Sequence, residues 1–275
     1  MAESPSHKFG QIIGHLLEEI LLPALQSFCD ERKLYLDKKG IRGKARAGRK
    51  VTWKDKYGNA HDLDFVIEKG GSTNTLGVPL AFIEAAWRRY TKHSKNKVQE
   101  IQGALLPIAE LYYSDKPFLG AILAGEFTAP SLEQLRSLGF EILYFPYGSI
   151  ISAFADVGIN VAFDEDTPDI LFEECIEKIQ KLPTAEGQSL KDNLVRLNQT
   201  SIEKFFVRLR ISLDRAIEYI VIIPLFGEQH KFSSTSAAGN FLQTLNTLTV
   251  SGSFQRFEVV VKYSNNDVIN ASIPG

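Results

Sequence analysis

The chain has 275 residues, 44% of them hydrophobic, and a formal net charge of −2. That length suits one substantial core or a core with a smaller appended unit. Its two cysteines, Cys29 and Cys175, stand beside no histidine at metal-ligand spacing, which argues against a zinc site. With no signal peptide and no apolar run of membrane-spanning length, the chain is expected to be cytoplasmic and reduced.

The small net charge hides an asymmetry. Cations crowd residues 32–56, among them Arg42, Lys44, Arg46, Arg49 and Lys50, while acids crowd residues 164–177. A positive half and a negative half fit a protein that presents one face to a polyanion; a solvated lysine-rich loop is the plainer reading of the same composition.

Residues 9–35 are predicted to form a helix, with Ile12, Ile13, Leu16, Leu17, Ile20, Leu21 and Leu25 on a broad apolar face and Pro23 bending or dividing it. The segment 36–49 sets Gly40, Gly43 and Gly48 among the cations and reads as a mobile loop that orders on its ligand. Glycines let a backbone approach a phosphate, and Lys44, Arg46, Arg49 and the adjoining Lys50 supply salt-dependent affinity. A strand at 50–56 and the turn Tyr57-Gly58-Asn59 then form a hairpin with the strand that carries Asp62 and Asp64.

Residues 62–97 concentrate the chemistry. Two short apolar runs, Asp62-Leu63-Asp64-Phe65-Val66-Ile67 and Phe82-Ile83-Glu84-Ala85-Ala86-Trp87, hold carboxylates inside strand-like sequence, and the cations Arg88, Arg89, Lys92, His93, Lys95 and Lys97 follow at once. Side chains alternate along a strand, so Asp62 and Asp64 share a face, and pairing of the two runs would let Asp64 and Glu84 converge. Two carboxylates make a hard oxygen site suited to Mg²⁺. Acids on the wet face of a hairpin are common, but Glu84 has little else polar around it and needs a partner or a metal.

Asn96 is expected to cap a helix that turns Val98, Ile101, Leu105, Ile108 and Tyr112 to the sheet and holds Lys97 and Glu100 in its first turns. Residues 118–124 read as a buried strand, 131–138 as a helix, 141–145 as a strand, and 150–157 and 170–182 as helices. The order predicts an α/β fold with a mixed central sheet flanked by helices over 1–183. Residues 184–275 should form a smaller α+β unit: a connector at 184–188, a helix at 201–217, strands at 218–225 and 254–263, and a helix at 238–248. That unit reads equally as DNA recognition, dimerisation or a cover for the sheet.

A hairpin ending in Asp64-Phe65-Val66-Ile67, a strand Phe82-Ile83-Glu84-Ala85-Ala86 and a polar helix resemble the core of the PD-(D/E)xK nuclease superfamily, type II restriction endonucleases above all. The pattern covers about residues 10–160. The resemblance implies a Mg²⁺-dependent endodeoxyribonuclease that cuts double-stranded DNA at a specific sequence, leaving 5′-phosphate and 3′-hydroxyl ends, as a homodimer in a restriction-modification system. Asp64 and Glu84 would hold the metal, with Asp62 an extra or substitute ligand and Glu19 of the first helix a further acid. The family's lysine two residues after the glutamate is Ala86 here. Lys97, Lys95 and Lys92 are the candidates to replace it, and Lys97 is assigned the catalytic role; an engineered Ala86, or a domain that binds without cutting, would also account for the missing lysine. Lys44, Arg46, Arg49, Lys50, Arg88, Arg89, Lys92, His93 and Lys95 would contact DNA. The alternatives are a structure-selective or repair nuclease of the same superfamily, or a non-catalytic DNA-binding protein.

Overall fold

The structure, a computed structural model, describes residues 4–91, 94–224, 228–244 and 256–274. It is a mixed α/β fold with a mixed central sheet flanked by helices, as expected. It divides into two units, residues 1–112 with 117–208 and residues 113–116 with 209–275. The boundary therefore falls after Arg208, later than the 183/184 junction expected from sequence. Residues 184–197 form α6 (Thr184–Leu197), where a connector was expected, and the first part of α7 (Gln199–Leu213) places Phe205 edge-on to Phe118 of the sheet at 5.5 Å.

In the first unit, α1 (Pro5–Glu31) is capped by Ser4, whose hydroxyl accepts from the His7 N–H, and Pro5 opens the helix where its missing N–H costs nothing. The helix runs through Pro23 without dividing. By length and composition it is apolar enough to cross a membrane, contrary to the sequence-based expectation; here Phe9, Ile13, Leu17, Leu21 and Leu25 are buried within the fold.

The central sheet has the order β1-β4-β5-β6-β7, formed by β1 (Tyr35–Lys38), β4 (Phe65–Lys69), β5 (Val78–Arg88), β6 (Phe118–Gly125) and β7 (Phe140–Pro146). β1, β4 and β5 run antiparallel in turn, and β5, β6 and β7 run parallel. The parallel joins require crossovers, supplied by α2 (Ser94–Leu111) and α3 (Ala129–Ser137). All eight residues of β6 are buried, as its unbroken apolar sequence predicts. Val98, Ile101, Leu105 and Ile108 of α2 pack on Val66, Phe82, Ala86, Leu119 and Leu123. α4 (Tyr147–Ala155) and α5 (Asp169–Gln180) complete this unit together with α6. Cys29 and Cys175 are both buried and unpaired.

A separate two-stranded ribbon pairs β2 (Val51–Lys54) with β3 (Ala60–Leu63). Its turn is pinned by Asp55, whose Oδ1 accepts from the backbone N–H of Tyr57 (2.8 Å) and Asn59 (2.9 Å).

Among the described residues, the second unit is a four-stranded antiparallel sheet, β11-β10-β8-β9, with the helix α8 on it: β8 (Ile217–Pro224), β9 (His230–Phe232), α8 (Thr235–Thr244), β10 (Arg256–Tyr263) and β11 (Val268–Pro274). Ile220, Ile222, Ala238 and Phe257 form its small core.

Candidate active site

Strand register brings the two central acids together. Phe65 pairs with Ile83 and Val66 with Phe82, which sets Asp64, one residue earlier, opposite Glu84. The Ala85 N–H donates to Asp64 Oδ2 at 2.7 Å and fixes that carboxyl. Glu84 shares its face of β5 with Phe82 and Ala86, which belong to the hydrophobic cluster under α2. Its Oε1 is buried and has no hydrogen-bond partner among the described residues. An ionised carboxylate so placed is costly. Burial first, and the neighbouring Asp64 second, push Glu84 up to about 8, against the pull of Lys97. Burial also raises Asp64, opposed by the Ala85 N–H, Lys97 and Lys39.

Lys97 lies in the opening turns of α2 and is mostly buried; its Nζ is 3.1 Å from Glu100 Oε2, and its charge acts on both Asp64 and Glu84. Ala86, two residues after Glu84, faces the hydrophobic cluster, and the cation whose charge reaches both acids belongs to α2. Ala86 is 4% exposed and packed in the core.

Of the two adjacent acids in the first helix, Glu18 is the one within electrostatic reach of Asp64. Glu19 turns outward, with its Oε1 3.1 Å from His15 and its Oε2 2.8 Å from Lys191. Glu18 is raised by its own burial and then by the charge of Asp64, and Lys39, at the end of β1, acts on both. Ser6, Gly10, Gly14 and Glu18 recur every fourth residue, a line of small side chains ending in an acid along one face of α1. That spacing was the signal available in the sequence for Glu18; Lys39 had none beyond its charge.

Asp62 is not brought to this site. The chain bends at Asp64 between β3 and β4, so strict alternation fails there and Leu63 and Val66 enter the same cluster. Asp62 instead faces outward on the ribbon, accepting from Lys50 Nζ at 2.6 Å and Thr52 Oγ1 at 2.7 Å. Lys50 is thereby paired as well.

The glycine-rich cationic segment is an ordered structure and not a mobile loop. Arg42 is 1% exposed, with Nη1 2.5 Å and Nη2 2.8 Å from the two oxygens of Glu68 and Nη1 2.8 Å from Asp37. It also donates to the carbonyls of Ser72 (3.0 Å) and Thr75 (3.1 Å) and stacks on Tyr35. Gly43 has φ +48°, and a Cβ there would meet the Thr73 carbonyl at 2.5 Å, so only glycine allows this approach. Arg46 donates to both oxygens of Asp37 (3.2 and 3.1 Å) and to the carbonyls of Lys38 and Gly48. Arg46, expected to contact DNA, is thus committed to Asp37, whereas Lys44 and Arg49 are exposed. Among the other cations, Lys95 is exposed, Arg88 is 3.5 Å from Glu100, and Arg89 lies against Tyr90 and Phe172. Lys92 and His93 lie outside the described residues.

Among the described residues no group of three or more His, Cys, Asp or Glu side chains is arranged to hold a metal ion. Mg²⁺ needs no such cage, because one or two carboxylates with water and substrate phosphate suffice. The unpartnered buried oxygen of Glu84 opposite Asp64 fits that requirement.

A pH signature follows. Glu84 holds its proton in the folded chain up to about 8, against an ordinary value of 4.5. Its favourable contribution is complete below pH 4.5 and is lost as pH rises to about 8, because the unfolded chain then binds fewer protons than the folded one. In chelator, the melting temperature should fall between about pH 5 and about pH 8.5, and Glu84→Gln should flatten that fall. An unchanged slope in the variant would remove Glu84 as its source.

No family model matches the chain, and no curated protein matches it. A solved structure described as a protein of unknown function, AF1548, is similar at 11% identity, covering 70% of this chain and 98% of that one, with a TM-score of 0.30.

Proposed function

We propose that this chain is a Mg²⁺-dependent endodeoxyribonuclease acting on double-stranded DNA, of the type II restriction kind within the PD-(D/E)xK superfamily. The observation that carries the reading is the partnerless buried oxygen of Glu84, set opposite Asp64 and under the charge of Lys97. The order of helix, antiparallel strands, acidic strand, helix and parallel strand supports it.

Mg²⁺ held by Asp64 and Glu84 would neutralise charge on a phosphodiester and acidify a water. The protein's own part is to hold these carboxyls at fixed positions, Asp64 through the Ala85 amide, and to supply a cation from α2. Lys97 orients the attacking water and offsets the negative charge that develops on the phosphorus oxygens. Glu100, shared by Lys97 and Arg88, restrains the lysine. Cutting both strands of a symmetric site suits a homodimer. Burial of Ala86 in the core favours one rival, a DNA-binding protein without cleavage.

The test is a digest of several long duplex DNAs with Mg²⁺ and with chelator. Discrete metal-dependent fragments are expected, a smear would favour a nuclease without sequence preference, and intact DNA with retained binding would favour the rival. Lys97→Ala should lower the cleavage rate by on the order of 10²-fold with little change in DNA affinity. Equal losses in Lys97→Ala and Lys95→Ala would deny Lys97 its specific role.

A further inference from the structure

Beside the acid pair lies a cavity of about 450 Å³, lined by the first turns of α1 and the end of β5. Its walls carry Arg88, Arg89 and Lys97 and, among the described residues, no carboxylate. Gly10 and Gly14 form part of the lining, and a Cβ on Gly14 would meet nothing within 4 Å. Arg89 is held between two rings, its guanidinium carbon 4.2 Å from the centre of Tyr90 and 4.4 Å from that of Phe172. Its Nη1 is buried and has no hydrogen-bond partner among the described residues. A guanidinium fork fixed in place with a donor unsatisfied is built to receive an anion with more than one oxygen.

We infer that this cavity is a phosphate subsite, holding by Arg89 a phosphate of the nucleic-acid strand next to the one presented to Asp64 and Glu84. The inference rests on the nuclease reading for the identity of the ligand, and on the cavity and the clamped arginine for the existence of the site. Burial weakens the protonated form of Arg89, the charges of Asp164, Asp169 and Glu165 offset part of that cost, and an incoming phosphate would offset more. Arg89 is then a binding and positioning group, distinct from Lys97. Contact with the Tyr90 and Phe172 rings restrains the fork, so the subsite would fix where along the strand the acids act.

Trp87 lines the same cavity and reports on it, once Trp53, the other tryptophan, is replaced by phenylalanine. In chelator, titration of that protein with a short oligothymidylate should give a saturable change in tryptophan emission, and inorganic phosphate should do so far more weakly. Arg89→Met, which keeps the stem between the rings but removes the donors, should weaken the oligonucleotide response at least about tenfold. Gly14→Leu should do the same by filling the space while leaving Arg89 intact, and a leucine in mid-helix favours folding. An undiminished response in both variants, with melting curves showing both folded, overturns the subsite. Equal affinity for phosphate and oligonucleotide overturns the strand assignment in favour of a free-phosphate site. Duplex cleavage in Mg²⁺ separates the two readings: cleavage without an Arg89-dependent response sinks the subsite alone, and an Arg89-dependent response without cleavage sinks the nuclease alone.

Discussion

Glu84→Gln and Asp64→Asn are each expected to abolish Mg²⁺-dependent cleavage, a fall on the order of 10²-fold or more, while leaving DNA affinity measured in Ca²⁺ nearly unchanged. The two carboxyls face each other across the β4–β5 pair and sit in surroundings that disfavour their charge. A cation bound there would relieve that cost, and an amide of the same shape offers it no negative charge to pair with. Both variants remove a buried acid without removing volume, so their thermal stability in chelator at neutral pH should match or exceed that of the parent. This pairing of lost activity with retained stability separates a functional acid from a structural one. Asp62→Asn supplies the contrast, because its carboxyl serves Lys50 and Thr52 on the ribbon; cleavage equal to the parent is expected. A loss in Asp62→Asn as large as in Asp64→Asn would return Asp62 to the metal site.

Arg42→Ala is expected to destabilise the fold by about 3–5 kcal/mol, lowering the melting temperature by roughly 10 °C. Arg42 joins Asp37 of β1 to Glu68 of β4 and ties the 70–77 loop through the carbonyls of Ser72 and Thr75. Its removal leaves Glu68, fully buried, with only the Gly77 N–H at 2.6 Å among the described residues, and leaves Asp37 to Arg46. Most of the cost is the stranded charge, so adding Glu68→Gln to Arg42→Met should recover a large part of it. Urea melts of the single and double variants measure this directly. A loss below about 1 kcal/mol in Arg42→Ala would mean that the network contributes little.

Sequence and structure agree where a local rule stays local. Alternation along a strand predicts that Asp64 and Glu84 converge, since the pairing next to them is regular over Phe65, Val66 and Ile67. The same rule misplaces Asp62 because the bend at Asp64 resets the faces, and nothing in Asp62-Leu63-Asp64 marks a bend. Glu18 and Glu19 differ by about 100° around the helix axis, and only the glycine line at Gly10 and Gly14 tells which of them faces inward. Composition counts Arg42 and Arg46 with Lys44 and Arg49, yet cannot see that Asp37 and Glu68, from separate strands, claim the first two. The connector expected at 184–188 is the start of α6, where Gly187 and Pro183 gave a turn-like composition to a helix whose buried residues, Leu190 and Leu194, come later. β1, β9 and β11 were missed: β1 and β9 are strands of four and three residues, and β11 is an edge strand of mixed polarity.

The bend at Asp64 separates the hairpin turn from the acid pair, while the base of the hairpin is built into the core through Val51, Trp53 and Leu63. β2 and β3 pair only with each other in their own sheet, while the position of Asp64 is set on the far side of the bend by β4, β5 and the Ala85 amide. The tip is open, Tyr57 being 72% exposed, and exposed tips accept inserted residues readily. Length and side chains at the Tyr57-Gly58 turn are therefore free to diverge, or to be exchanged by design, without moving Asp64.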